Sequence, residues 1–146
     1  MYRKILVPLD AGSLAQRCAG HALDLAAEHR AELRFLNVMD VHGFMGPYPN
    51  MIEVMSDDAV RMLDGWVQEA STRGLLAHSA IEETDRLRAT IAQVIADDAR
   101  AWGADLIVFG HKEHDGFMSH WQSTMASEVE RCTTASVLIL PTNARA

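Results

Sequence analysis

The sequence predicts an α/β fold: one open parallel sheet with helices on both faces, in a single domain spanning residues 1–146. Three observations lead there. Short apolar runs alternate with longer amphipathic stretches, and strands alternating with helices build right-handed βαβ units on a parallel sheet. The apolar runs are nearly continuous, which suits strands covered on both faces. Finally, residues 105–110 (Asp-Leu-Ile-Val-Phe-Gly) read as a buried strand with a glycine exit, followed by a polar stretch over 111–122 and a helix expected to open at Ser123 and Thr124. Such a strand–loop–helix unit gathers backbone N–H groups and a helix dipole at one point, as α/β proteins do to hold anions.

Residues 4–9 (Lys-Ile-Leu-Val-Pro-Leu) form the first strand, with Pro8 expected at its C-terminal end because proline removes a ladder donor. Asp10-Ala11-Gly12 turns the chain, and Ser13 with Gln16 makes a capping-box pattern. Ala15, Cys18, Ala19, Ala22, Leu25 and Ala26 then follow a helical stripe to about residue 30. The second strand spans 32–38. Residues 40–50, with two Gly and two Pro, read as loop.

A helix is expected over 51–73, with Met55, Ala59, Met62, Leu63, Trp66 and Ala70 at helical spacing and Gly74 as its stop. Residues 75–81 give the third strand, flanked by Glu82 and Glu83. Thr84 or Asp85 is expected to cap the next helix, whose stripe is Leu87, Ile91, Val94, Ile95, Ala99 and Trp102, with Gly103 closing it. The fourth strand ends at Phe109, a helix runs over 124–133, and the last strand covers 136–140 before Pro141.

A length of 146 residues fits one domain of about 100–200. The net charge of -7 argues against a nucleic-acid surface, and the thirteen Lys and Arg form no run suited to a membrane surface. No apolar run approaches the ~18 residues of a membrane span, and the N-terminus shows no signal-peptide pattern. Two cysteines, Cys18 and Cys132, are too few for a disulfide framework. A cytoplasmic protein is the expectation.

Four segments carry a family resemblance: Ile5-Leu6-Val7-Pro8-Leu9-Asp10, Asn37-Val38, residues 103–110 (Gly-Ala-Asp-Leu-Ile-Val-Phe-Gly), and residues 136–141 (Ser-Val-Leu-Ile-Leu-Pro). In this order, and over nearly the whole chain, they resemble the universal stress proteins. The resemblance implies an adenine-nucleotide α-hydrolase-like sheet in the order 3-2-1-4-5. It also implies a homodimer through the last strand, here Val137, Leu138, Ile139 and Leu140, an apolar edge awaiting a partner.

In the nucleotide-binding branch of that family the phosphate loop reads Gly-x-x-Gly, nine residues, then Gly-Ser or Gly-Thr. On this chain those positions are Gly110, Glu113 and the pair Ser123-Thr124. The spacing is intact, but two of the three glycines are replaced. Glu113 puts a side chain and a negative charge where phosphate would lie, and two like charges at 4 Å repel by about 1 kcal/mol even in water. This departure is similar to the UspA branch, which is regarded as not binding ATP. The resemblance places Pro8, Asp10, Val38, Gly110, Glu113, Ser123 and Thr124 at the ligand site, with Asp10 contacting nucleotide and Val38 lining the adenine slot. Asp10 has a second reading, as a turn residue that favours the next helix through its dipole.

His111, Glu113, His114, Asp115 and His120 are residue types that suit zinc or nickel, but their spacing matches no zinc signature, so a polar loop is the reading kept and no metal is expected. No nucleophile–base pairing appears, so no catalysis is expected. A hydrolase would need Glu113 or His111 cast as water activator by assumption alone. The expected function is a stress-response binding or signalling module with weak or no ATP binding and no cofactor. The alternative is an ATP or ADP binder using Asp10, Val38, Gly110, Ser123 and Thr124.

Overall fold

The computed structural model of the chain describes residues 1–10, 13–41, 50–111 and 117–141. In order, the elements are β1 (Lys4–Pro8), α1 (Ser13–His29), β2 (Glu32–Met39), α2 (Asn50–Thr72), β3 (Ala77–Glu83), α3 (Ile91–Trp102), β4 (Leu106–His111), α4 (Phe117–Cys132) and β5 (Ser136–Pro141). The five strands make one sheet in the order β3-β2-β1-β4-β5, with every pairing parallel.

Two buried clusters explain the continuous apolar runs. Ile5, Val7, Leu33, Phe35, Leu106 and Val108 face one side, where Cys18, Ala19, Ala22, Leu23 and Ala26 of α1 and Leu63 and Ala70 of α2 cover them. Leu6, Leu36, Ile107 and Phe109 face the other, under Ala92, Ile95 and Ala99 of α3 and Ala126 and Val129 of α4. Successive strand residues point to opposite faces, so a strand covered twice is apolar at most positions, and a polar one such as Arg34 of β2 must find a partner. Ala19, Ala22 and Ala26 of α1 are fully buried, and their size lets the helix lie close to the sheet. Trp66 and Trp102 each pack partly buried against one cluster.

Both helix stops anticipated from glycine are present. Gly74 (φ 73°) and Gly103 (φ 83°) adopt the left-handed conformation, and the Gly103 N–H donates to the Ala99 carbonyl at 2.9 Å.

Several expectations are corrected. β3 runs two residues further than expected, so Glu82 and Glu83 belong to it, paired with Val38 and Met39. As the outer strand it is only half-buried along its length, which lets charged side chains ride on it. Neither Thr84 nor Asp85 caps α3. Thr84 is buried and donates through its hydroxyl to Asp40 at 3.0 Å, and Asp85 organises a turn by accepting from the Leu87 and Arg88 N–H groups at 2.8 and 2.7 Å. Leu87, 92% exposed, therefore lies off the helical stripe.

The cap is Thr90, in a full capping box with Gln93. Replacing Thr90 with alanine is expected to cost about 1 kcal/mol, read as a lower urea midpoint at unchanged slope. Met55 points outward and is half-exposed instead of facing the core, whereas Met62 packs against the first cluster. Finally, α4 starts at Phe117, not at Ser123 or Thr124.

Candidate functional site

The sheet order reverses between β1 and β4, and open α/β sheets bind ligands at the C-terminal ends of the strands beside such a point. Local chemistry opens the sheet there. The Leu9 N–H donates to the Leu36 carbonyl of β2 at 2.8 Å, and the Asp105 N–H donates to the Lys4 carbonyl from the β4 side at 3.0 Å. Backbone groups alternate along a strand, so Lys4, Leu6 and Pro8 face β4. Proline has no N–H to give, and the paired register of β1 with β4 stops at Leu6. Beyond it, the Asn37 side-chain amide donates to the Leu9 carbonyl at 2.9 Å and secures the end of β1 to β2.

A cleft of about 200 Å³ opens on the α3 and α4 side of the sheet. Its described lining is Asp40, just past β2, Ala89 and Thr90 at the start of α3, Ile91 and Ala92 within it, and Met125 and Glu128 of α4. Val38 packs into the apolar cluster on this face, with Ala92, Ile91 and Met125. The floor is apolar and the polar groups are acidic: Asp40 and Glu128 carry carboxylates, and no described lining residue is basic. Asp40 is held by Thr84, whose own N–H donates to the Met39 carbonyl at 3.0 Å. The turn behind it is firm, because two backbone N–H groups hold the Asp85 carboxyl below the usual carboxylate range.

The seven residues anticipated from sequence divide three ways. Pro8, Asp10, Val38 and Gly110 stand at the C-terminal ends of β1, β2 and β4, as expected, although none of them lines this cleft. Asp10 is exposed, and its charge, after burial, helps push the Cys18 thiol up to about 11, which leaves Cys18 an inert core residue. Glu113 lies outside the described residues. Ser123 and Thr124 fall inside α4, and their side chains lie outside what is described.

Asn37 was quoted in the sequence only as part of a family segment. Asp40, Thr84, Thr90, Met125 and Glu128 were not anticipated as site residues. Thr90-Ile-Ala-Gln93 carries a legible capping-box signal. The Asp40–Thr84 contact joins residues 44 apart and leaves no local trace. Among the described residues no group of three His, Cys, Asp or Glu side chains is placed to hold a metal ion; Glu113, His114 and Asp115 lie outside them. No helix among the described residues is long and apolar enough to cross a membrane.

Comparison with known proteins adds three kinds of likeness. The model of the universal stress protein family matches residues 1–141. Universal stress protein A of Photorhabdus laumondii is 29% identical over 144 residues, covering 96% of this chain and 95% of its own. A solved universal stress protein from Burkholderia pseudomallei superposes with a TM-score of 0.76 at 27% identity, covering 96% of each chain. Another, solved in complex with cAMP, superposes with a TM-score of 0.70 at 17% identity, covering 97% of this chain and 98% of its own, a likeness of fold alone.

Proposed function

This chain belongs to the universal stress protein family, and from that premise we propose that it is a stress-response binding or signalling module that works without turnover and binds ATP weakly or not at all. Members of the family are in general binding and signalling proteins. The observation that carries the finer reading is the start of α4 at Phe117. In a helix that begins there, the N–H groups of Ser123 and Thr124 are directed to carbonyls four residues back, and so are not free to cradle a phosphate. The acids Asp40 and Glu128 at the cleft, with Glu113 in the loop position, add repulsion against a polyphosphate.

The test is a thermal-shift titration with MgATP. A ligand at about 100 times its dissociation constant stabilises by about 2.7 kcal/mol, so a binder is readily seen. We expect no shift at millimolar MgATP for the native chain, and a measurable one for the Glu113→Gly, Ser123→Gly double variant, in which a glycine inside α4 also weakens the helix that ties up those N–H groups. No gain in the double variant would sink the steric and charge argument.

The second reading is an ATP or ADP binder that uses Asp10, Val38, Gly110, Ser123 and Thr124. It is favoured by the structural neighbour solved with cAMP. Nucleotide co-purifying with the native chain would favour it over the first.

The same family reading supports a homodimer through β5. That strand is an outer strand of the sheet, and Ile139 on it is 44% exposed. Ile139→Lys is expected to convert a dimer to monomer in light scattering, because a charge facing its symmetry mate opposes edge pairing.

A further inference from the structure

A chain of four charged side chains runs across the sheet face under α3 and ends at the cleft wall. Arg34 of β2 clasps Asp98 of α3 with two hydrogen bonds of 2.8 and 2.7 Å. Glu82 of β3 accepts from Arg88 at 3.0 Å, and the Asp98 carboxyl lies near enough to raise its pKa. Arg88 also approaches Asp85 at 3.6 Å. Asp85 shapes the turn that follows β3, and from Ala89 and Thr90 onward that segment is the cleft wall.

We propose that this chain is a proton-operated latch: when Glu82 takes up a proton it becomes a donor to Asp98, lets go of Arg88, and loosens the 84–90 segment, whose last two residues line the cleft. The chemistry is that of two carboxyls competing for two guanidinium groups. With Glu82 ionised, two adjacent acids lie between two bases, each acid held by one guanidinium, and Arg88 ties the turn to β3. With Glu82 protonated, Asp98 keeps Arg34 and accepts the new O–H. Arg88 is then left with the longer 3.6 Å approach to Asp85 and the charge of Asp97.

Burial and the neighbouring Asp98 both raise the Glu82 carboxyl above its ordinary value, against the opposing pull of Arg88, so it takes up its proton at a higher pH than an ordinary glutamate does. The other charged groups nearby are Asp85 in the turn, Asp97 of α3, and His78, which lies on the same face of β3 as Glu82 beside Arg34. Asp85 is held below the carboxylate range by its backbone donors and stays ionised where Glu82 changes state. His78 is pushed below its ordinary value by burial and by Arg34, which makes it the group to exclude. The latch does not depend on what the cleft binds.

The test is amide hydrogen exchange on the full chain from about pH 4 to 7.5, corrected for intrinsic rates, following Asp85, Leu87, Arg88 and Gln93. Protection of these amides is expected to fall about two- to fivefold on acidification, as the loss of a partly exposed ion pair allows. The midpoint should lie above that of an unperturbed glutamate. Glu82→Gln should show the loosened segment at neutral pH with no step, and Arg88→Gln should do the same. His78→Gln should keep the step. A native chain without a step, a step that persists in Glu82→Gln, or one abolished by His78→Gln would each overturn the latch.

Discussion

Replacing Asp98 with alanine is expected to destabilise the protein by about 3–5 kcal/mol, the usual consequence of removing one partner from a buried ion pair. The side chain of Asp98 is 4% exposed and that of Arg34 17%. Once Asp98 is gone, a guanidinium that cannot give up its proton is left under α3 with neither hydrogen-bond acceptor. Urea denaturation read by Trp fluorescence checks this, and the midpoint should drop sharply without a large change in slope. The companion measurement separates the cost of an orphaned charge from the worth of the pair. The Arg34→Met, Asp98→Leu double variant should recover most of the loss, since a buried pair replaced by apolar residues of similar volume is often neutral or stabilising. A double variant as unstable as the single one would mean that the pair itself contributes the stability.

Phe35→Ala is expected to cost a similar amount, about 3–5 kcal/mol, by a different mechanism. Phe35 is fully buried in the middle of β2, its ring 6.5 Å from that of Trp66 across the α2 interface. Truncation removes the transfer energy of the ring and leaves a cavity that the paired strands on either side of β2 cannot close. Against a typical domain stability of about 5–15 kcal/mol, either substitution removes a large share, so the variants belong at low temperature and low denaturant. A Phe35→Leu variant should keep most of the lost stability. If Phe35→Ala costs less than about 1 kcal/mol, the first cluster is looser than its burial implies.

How far the sequence could be read depends on the range of the interaction that decides each feature. The strand cores at Ile5 to Val7 and Leu106 to Phe109, the stripes of α1 and α3, and the glycines ending α2 and α3 all answer to local rules of period and conformation. Each was legible. The misplacements lie where a local signal had two users. Thr84 and Asp85 look like helix caps, because a short oxygen-bearing side chain suits a cap and a turn equally; contact with Asp40, 44 residues away, assigns Thr84 to the turn. Ser123-Thr124 likewise resembles a helix start, yet α4 extends back to Phe117.

The sequence by itself determined the five strands, the parallel α/β class and the family, because these follow from patterns of apolar and glycine residues that local physics reads directly. It also showed Glu113 three residues after Gly110, where the resemblance puts a glycine. Only the tertiary structure decided that Asp40 and Glu128 share a cleft, that Arg34, Asp98, Glu82 and Arg88 form one chain of charges, and that Pro8 releases β1 from β4 at the switch point. Each of these joins residues from separate elements, and an interaction across the sheet depends on register and packing that no window of neighbouring residues contains.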